Sequence, residues 1–91
     1  MGESVFDSSI PPGSGAPYHL HTDADEIIFV VSGMINITLN GEDRIAREGD
    51  TIFIPKHTSH GFKNVGLYAA RLLFTSIRVV LNDFFGGRNK G

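Results

Sequence analysis

The 91-residue chain sets 8 Lys and Arg against 10 Asp and Glu for a net charge of −2, with no basic run to suit nucleic acid or an anionic membrane. A hydrophobic share of 41% excludes a disordered chain, and no apolar stretch approaches a membrane span. The acidic start MGESVFDSSIPP lacks the character of a secretory leader, so the expected location is cytoplasmic. Without cysteine, neither disulfides nor thiolate ligands can support so small a core, and a metal ion, a partner subunit or both are the expected help.

Turn residues then punctuate the chain at the short intervals of an all-β sandwich or barrel. Residues 1–12 read as an N-terminal arm or strand, with a Pro/Gly-rich loop over 10–17. Tyr18 to Thr22 forms a short strand and Asp23 to Asp25 a polar turn. Glu26 to Ser32 is a strong strand, Gly33 a turn or bulge, and Met34 to Leu39 another strand. Asn40-Gly41 between two strand-like runs signals a type I′ hairpin. Arg44 to Arg47 returns, Gly49-Asp50 turns, and Thr51 to Ile54 is a strand stopped by Pro55. Ser59 to Lys63 and Tyr68 to Thr75 complete a barrel over 13–75. After it, Ile77, Val80, Leu81, Phe84 and Phe85 follow helical spacing, with Ser76 placed to cap a C-terminal helix over 76–86 and Gly86 to end it.

Strand periodicity carries a second message. In Ile27-Ile28-Phe29-Val30-Val31, apolar side chains point to both faces of the sheet, and Leu72, Leu73 and Phe74 repeat the pattern. One face fills the interior, and the other calls for a cover. A second subunit burying Phe29 or Val31 is the expected cover, giving a homodimer to whose sheet edge Ser4 to Ile10 could add a strand.

His19 and His21, spaced i, i+2, project from one face of a strand, Glu26 starts the next strand, and His60 follows the turn built on Pro55. Three imidazoles and one carboxylate suit a divalent Mn, Fe, Co, Ni, Cu or Zn ion. Around them, Gly13, His19, His21, Glu26 and Gly33 fit G-x5-H-x-H-x4-E-x6-G. Gly49, Pro55, His60 and Asn64 fit G-x5-P-x-G-x2-H-x3-N at all positions but one. These resemble the two signature motifs of the cupin superfamily, separated by 15 residues as in the shortest of its members. The departure is His57 where the pattern has Gly; His is among the non-glycine residues better represented at positive φ, so the turn tolerates it.

The resemblance implies a double-stranded β-helix, or jelly-roll, barrel formed by one cupin domain, with His19, His21, Glu26 and His60 as metal ligands. Such an ion has positions open for a substrate offering one or two oxygens, such as an enolate, a carboxylate or a hydroxy-ketone. Glu26 can also detach and act as a base. Ile28 and Val30 share its face and, with His57 and Phe62, are the expected pocket residues, which suits a small organic molecule better than a sugar. A metal-dependent, dioxygenase-like oxidoreductase is the leading expectation. The alternatives are a Lewis-acid isomerase or lyase and a non-catalytic module binding a metal or small ligand.

Overall fold

In the computed structural model, residues 2–20 and 23–78 are described, the side chains of 2–4, 19, 20 and 78 excepted. These residues form eight strands and no helix: β1 (Gly2–Ile10), β2 (Gly15–Leu20), β3 (Asp25–Ser32), β4 (Met34–Leu39), β5 (Glu42–Arg47), β6 (Thr51–Ile54), β7 (His60–Asn64) and β8 (Ala70–Arg78). They pair antiparallel into two four-stranded sheets, ordered β1-β8-β3-β6 and β2-β7-β4-β5. This is the expected jelly-roll arrangement. Asn40 and Gly41 both have positive φ, at 48° and 83°, as the two-residue turn joining β4 to β5 requires.

Alternation decides what each face does. Ile28 and Val30 of β3, Ile54 of β6 and Leu72 of β8 meet Ile35 and Ile37 of β4 and Ala46 of β5 in one buried cluster between the sheets. Wholly burying an isoleucine or leucine stabilises by roughly 1.5–3 kcal/mol, so this cluster is the main driving force of the fold. Gly33 turns β3 into β4 at φ +92°, and a Cβ there would lie 2.7 Å from the backbone of Ala70, so both the turn and the close approach exclude a side chain.

Asn64, the last residue of the second motif, is buried and fully used. Its Nδ2 donates to the carbonyls of Ile10 and Tyr68, both at 2.8 Å, and its Oδ1 accepts from the Gly66 amide at 2.8 Å. It ties the end of β1 to the connection between β7 and β8, a structural task for a motif residue.

One expectation is corrected. Ser76 does not start a helix: residues 76–78 continue β8, with Ser76 paired to Glu26 and Ser4, and Ile77 paired to Asp25. The ladders on both sides of β8 satisfy the backbone as strand, and that overrides a helical spacing of side chains. The rest of the expected helix, 79–86, lies outside the described residues. Of the two readings of the N-terminal segment, arm or strand, the strand is the one seen within the chain. β1 pairs with β8 of its own chain along its whole length, from Gly2 opposite Arg78 to Ile10 opposite Ala70.

Candidate metal centre

Glu26 is the second residue of β3, in register with Ile54 on one side and Ser76 on the other. It shares the inward face with Ile28 and Val30, one step beyond the apolar cluster toward the end of the sandwich. His60 opens β7 in the opposite sheet, in register with Leu20 and Leu39. The two sheets thus each bring one polar side chain to the same end of the interior. His60 Nε2 stands 3.5 Å from Glu26 Oε1, with 6% and 22% of the two side chains exposed.

The proton arrangement follows from one further contact. His60 Nδ1 lies 2.9 Å from the carbonyl oxygen of Thr58, which can only accept, so Nδ1 carries the hydrogen. In the neutral ring the lone pair is then on Nε2, facing the carboxylate. Two electron-rich atoms held face to face in a mostly buried place need a positive charge between or beside them. At 3.5 Å the gap is longer than an ordinary charge-assisted hydrogen bond. A gap of 3.5 Å leaves both atoms within reach of one shared ion, since each would bind it at about 2.1 Å. The donor set and spacing therefore fit a divalent cation.

Of the other expected ligands, His19 is placed by its backbone near the end of β2, and its side chain is not among those described; His21 lies outside the described residues. Among the described residues no group of three or more potential ligands converges, and Glu26 and His60 are the pair brought together. β2 reaches this region irregularly: Ala16 pairs with Phe62 and Leu20 with His60, so Pro17, Tyr18 and His19 stand against Gly61 alone. Bulges of this kind re-aim side chains beside functional sites.

The four expected pocket residues have different fates. Ile28 and Val30 are wholly buried in the central cluster. Phe62 points inward from β7 and packs on Phe74, ring centroids 5.6 Å apart. His57 adopts φ +62°, the backbone position where the motif has glycine, and its exposed ring lies 3.3 Å from Asp23 Oδ1. Asp25 Oδ1 accepts the Lys56 amide at 2.9 Å, so the turn leading to His60 is fastened at two points to the segment leading to Glu26.

Sequence reading missed Thr58, Asp25 and Asp23 as the residues that set the positions of the pair. Nothing in the motifs marks Thr58, because its contribution is a backbone carbonyl that any residue supplies.

With this geometry in place, comparison with known proteins decides the family. A family model for the cupin domain matches residues 6–76. The chain belongs to the cupin family. Over 74 residues it is 32% identical to an uncharacterized protein, MJ1618, of Methanocaldococcus jannaschii, covering 81% of this chain and 59% of that one. It is 37% identical to quercetin 2,3-dioxygenase of Bacillus subtilis over 51 residues, 56% of this chain and 15% of that enzyme. Among solved structures, a predicted oxalate decarboxylase from Thermotoga maritima superposes with a TM-score of 0.77 at 28% identity, over 82% of this chain and 65% of that one. The chain spans about two-fifths to three-fifths of the length of the first curated relatives it matches. Among the described residues, no helix is long and apolar enough to cross a membrane.

Proposed function

We propose that this cupin holds one divalent transition-metal ion through His19, His21, Glu26 and His60 and acts as a metal-dependent oxygenase on a small organic molecule bearing ligating oxygens. The observation that carries the reading is the His60–Glu26 pair: an imidazole whose Nδ1 hydrogen is committed to the Thr58 carbonyl, and whose Nε2 faces a carboxylate oxygen at 3.5 Å. When bound, such an ion supplies Lewis acidity and a place for a chelating substrate beside O2.

The chain's own residues do the rest. The Thr58 carbonyl fixes the ring orientation of His60, as a hydrogen-bond acceptor on the far ring nitrogen commonly does for metal-bound histidines. Glu26 supplies negative charge and a carboxylate able to take up a substrate proton. Phe62, Phe74 and the buried isoleucines keep water from the inner side of the pair. Sequence similarity to quercetin 2,3-dioxygenase supports the oxygenase reading, and structural likeness to a predicted oxalate decarboxylase supports the lyase alternative.

Oxygen uptake by iron- or manganese-loaded protein, screened against small enols, hydroxy-ketones and carboxylates, tests it. Substrate-dependent uptake that disappears in His60→Ala supports the proposal. Turnover without oxygen consumption would move the chain to the isomerase or lyase class, and ligand binding without turnover to the non-catalytic one.

A further inference from the structure

Arg44 stands where a solvent-facing charge does not belong. It lies on β5 two residues before Ala46, which is buried in the central cluster, and directly across from Ile37, which is buried in the same cluster. By this register Arg44 starts from the inward side of the edge strand, and its side chain runs out to the mouth of a cleft, 72% exposed. Among the described side chains on inward-facing strand positions it is the one arginine or lysine: Lys63, Arg47 and Arg71 all alternate to the outer faces.

The interior on that side is partly open. A cleft of about 160 Å³ enters between β5 and β6, walled by Ile37, Leu39, Ala46 and Ile52, with Arg44 lining it. Leu39 is in register with His60, and Ile52 is one inward step from Ile54, the register partner of Glu26. The cleft is thus separated from the His60–Glu26 pair by a single row of side chains. The Arg44 guanidinium is only loosely engaged, 3.7 Å from Glu42 Oε1 with both side chains largely exposed. A planar cation with spare donors at the mouth of an apolar cleft matches a carboxylate carried on a small hydrocarbon body.

We infer that Arg44 is the specificity-determining residue of this cavity and that its ligand is a small monocarboxylic acid, the acid group held by Arg44 and the apolar body lodged against Ile37, Leu39 and Ile52. The inference goes beyond the metal reading above, because none of the residues lining this cleft is an expected metal ligand. An inward charge on an edge strand can instead serve only to block edge-to-edge pairing, and the test separates the two roles.

The experiment is calorimetric titration of the full-length, zinc-loaded chain with isobutyrate and with isobutyramide, which match in shape and differ in charge. Each titration is repeated after metal removal, with metal content measured throughout. Wild type is expected to prefer the acid in both states. Arg44→Gln and Arg44→Glu are expected to lose about ten- to hundredfold in isobutyrate affinity, with isobutyramide binding, metal content and thermal midpoint unchanged. The Glu variant keeps an edge-guarding charge, so its loss of acid binding excludes that role. Unchanged acid affinity in either variant, an equal loss for acid and amide, or absence of binding in wild type overturns the assignment. A preference that vanishes on metal removal also overturns it and leaves the metal reading standing. A preference that depends on Arg44 in protein unable to hold metal keeps the assignment and removes the metal reading.

Discussion

The two sheets differ on their outer faces as much as they agree on their inner ones. Across the outside of β1-β8-β3-β6, Val5, Thr75, Ile27 and Phe53 stand in one row, with Leu73 and Phe29 in the next. Val5, Phe53 and Phe29 leave 64%, 54% and 37% of their surface in water. Across the outside of β2-β7-β4-β5, Lys63, Asn36 and the half-exposed Ile45 form one row, and Thr38 and Asp43 stand in the next. There Thr38 Oγ1 donates to Asp43 Oδ1 at 2.6 Å, and Asn36 Nδ2 does so at 3.4 Å. The second sheet is mostly polar outside, whereas the first exposes an apolar patch there, bordered by Asp7, Arg71 and Thr51. The inner faces, by contrast, divide the candidate site equally, one sheet providing Glu26 and the other His60.

The contrast is sharpened first by substitutions on the two faces of β6. Ile54→Ala empties space in the buried cluster and is expected to cost about 2–5 kcal/mol in urea unfolding. Phe53→Ser, its neighbour on the outer face, should leave the unfolding of an isolated chain much less affected. Equal losses would show that the outer face is packed within one chain.

Metal comes next in size. Ion at a hundred times its dissociation constant should raise stability by about 2.7 kcal/mol, read as a higher melting midpoint than in chelator. His60→Ala is expected to abolish that difference, whereas His57→Ala should retain it, because the exposed His57 ring pairs with Asp23 rather than with Glu26. Equal midpoints with and without ion, at verified metal content, would mean the site adds nothing.

A two-fold pair of chains would cover the apolar outer sheet, so sedimentation at micromolar concentration should give twice the 9.9 kDa chain mass. Phe29→Lys should then yield monomers, and Thr38→Lys on the polar sheet should not. A wild-type monomer would contradict this reading of the exposed row.

The smallest effect belongs to the edge. The Arg71 guanidinium donates two hydrogen bonds to the Asp7 carboxylate, at 2.6 and 3.0 Å, and holds its pKa below the usual 3.8. A lowered carboxylate pKa stabilises the fold above the unfolded value, and that contribution is lost as pH falls from about 3.8 through the folded value. Asp7→Asn should remove this slight acid sensitivity, and high salt should blunt it, since the pair is solvent-exposed. An acid titration of stability unchanged by Asp7→Asn would mean the pair has no weight.

Most of the strand order was readable because turn chemistry and pattern agree: Met34–Leu39 and Thr51–Ile54 fall where Gly33, Asn40-Gly41, Gly49 and Pro55 place them. The Glu26 and His60 positions were readable through motif spacing alone, since no local property of either residue says that they meet. What escaped depends on partners distant in the chain. Residues 1–12 read as an arm or strand, but that β8 of the same chain supplies the ladder of β1 was not readable. Ser76 and Ile77 fall in a helical pattern but gain pairing on both sides as strand. Arg44 looks like an ordinary surface charge until the register with Ile37 places it on the inward side of β5.

Anomalous scattering from crystals grown with manganese(II) tests whether His60 and Glu26 share one ion. The account predicts a single peak about 2.0–2.3 Å from both His60 Nε2 and a Glu26 carboxylate oxygen. A peak elsewhere, or His60 and Glu26 in direct contact with no peak at saturating manganese, would contradict it.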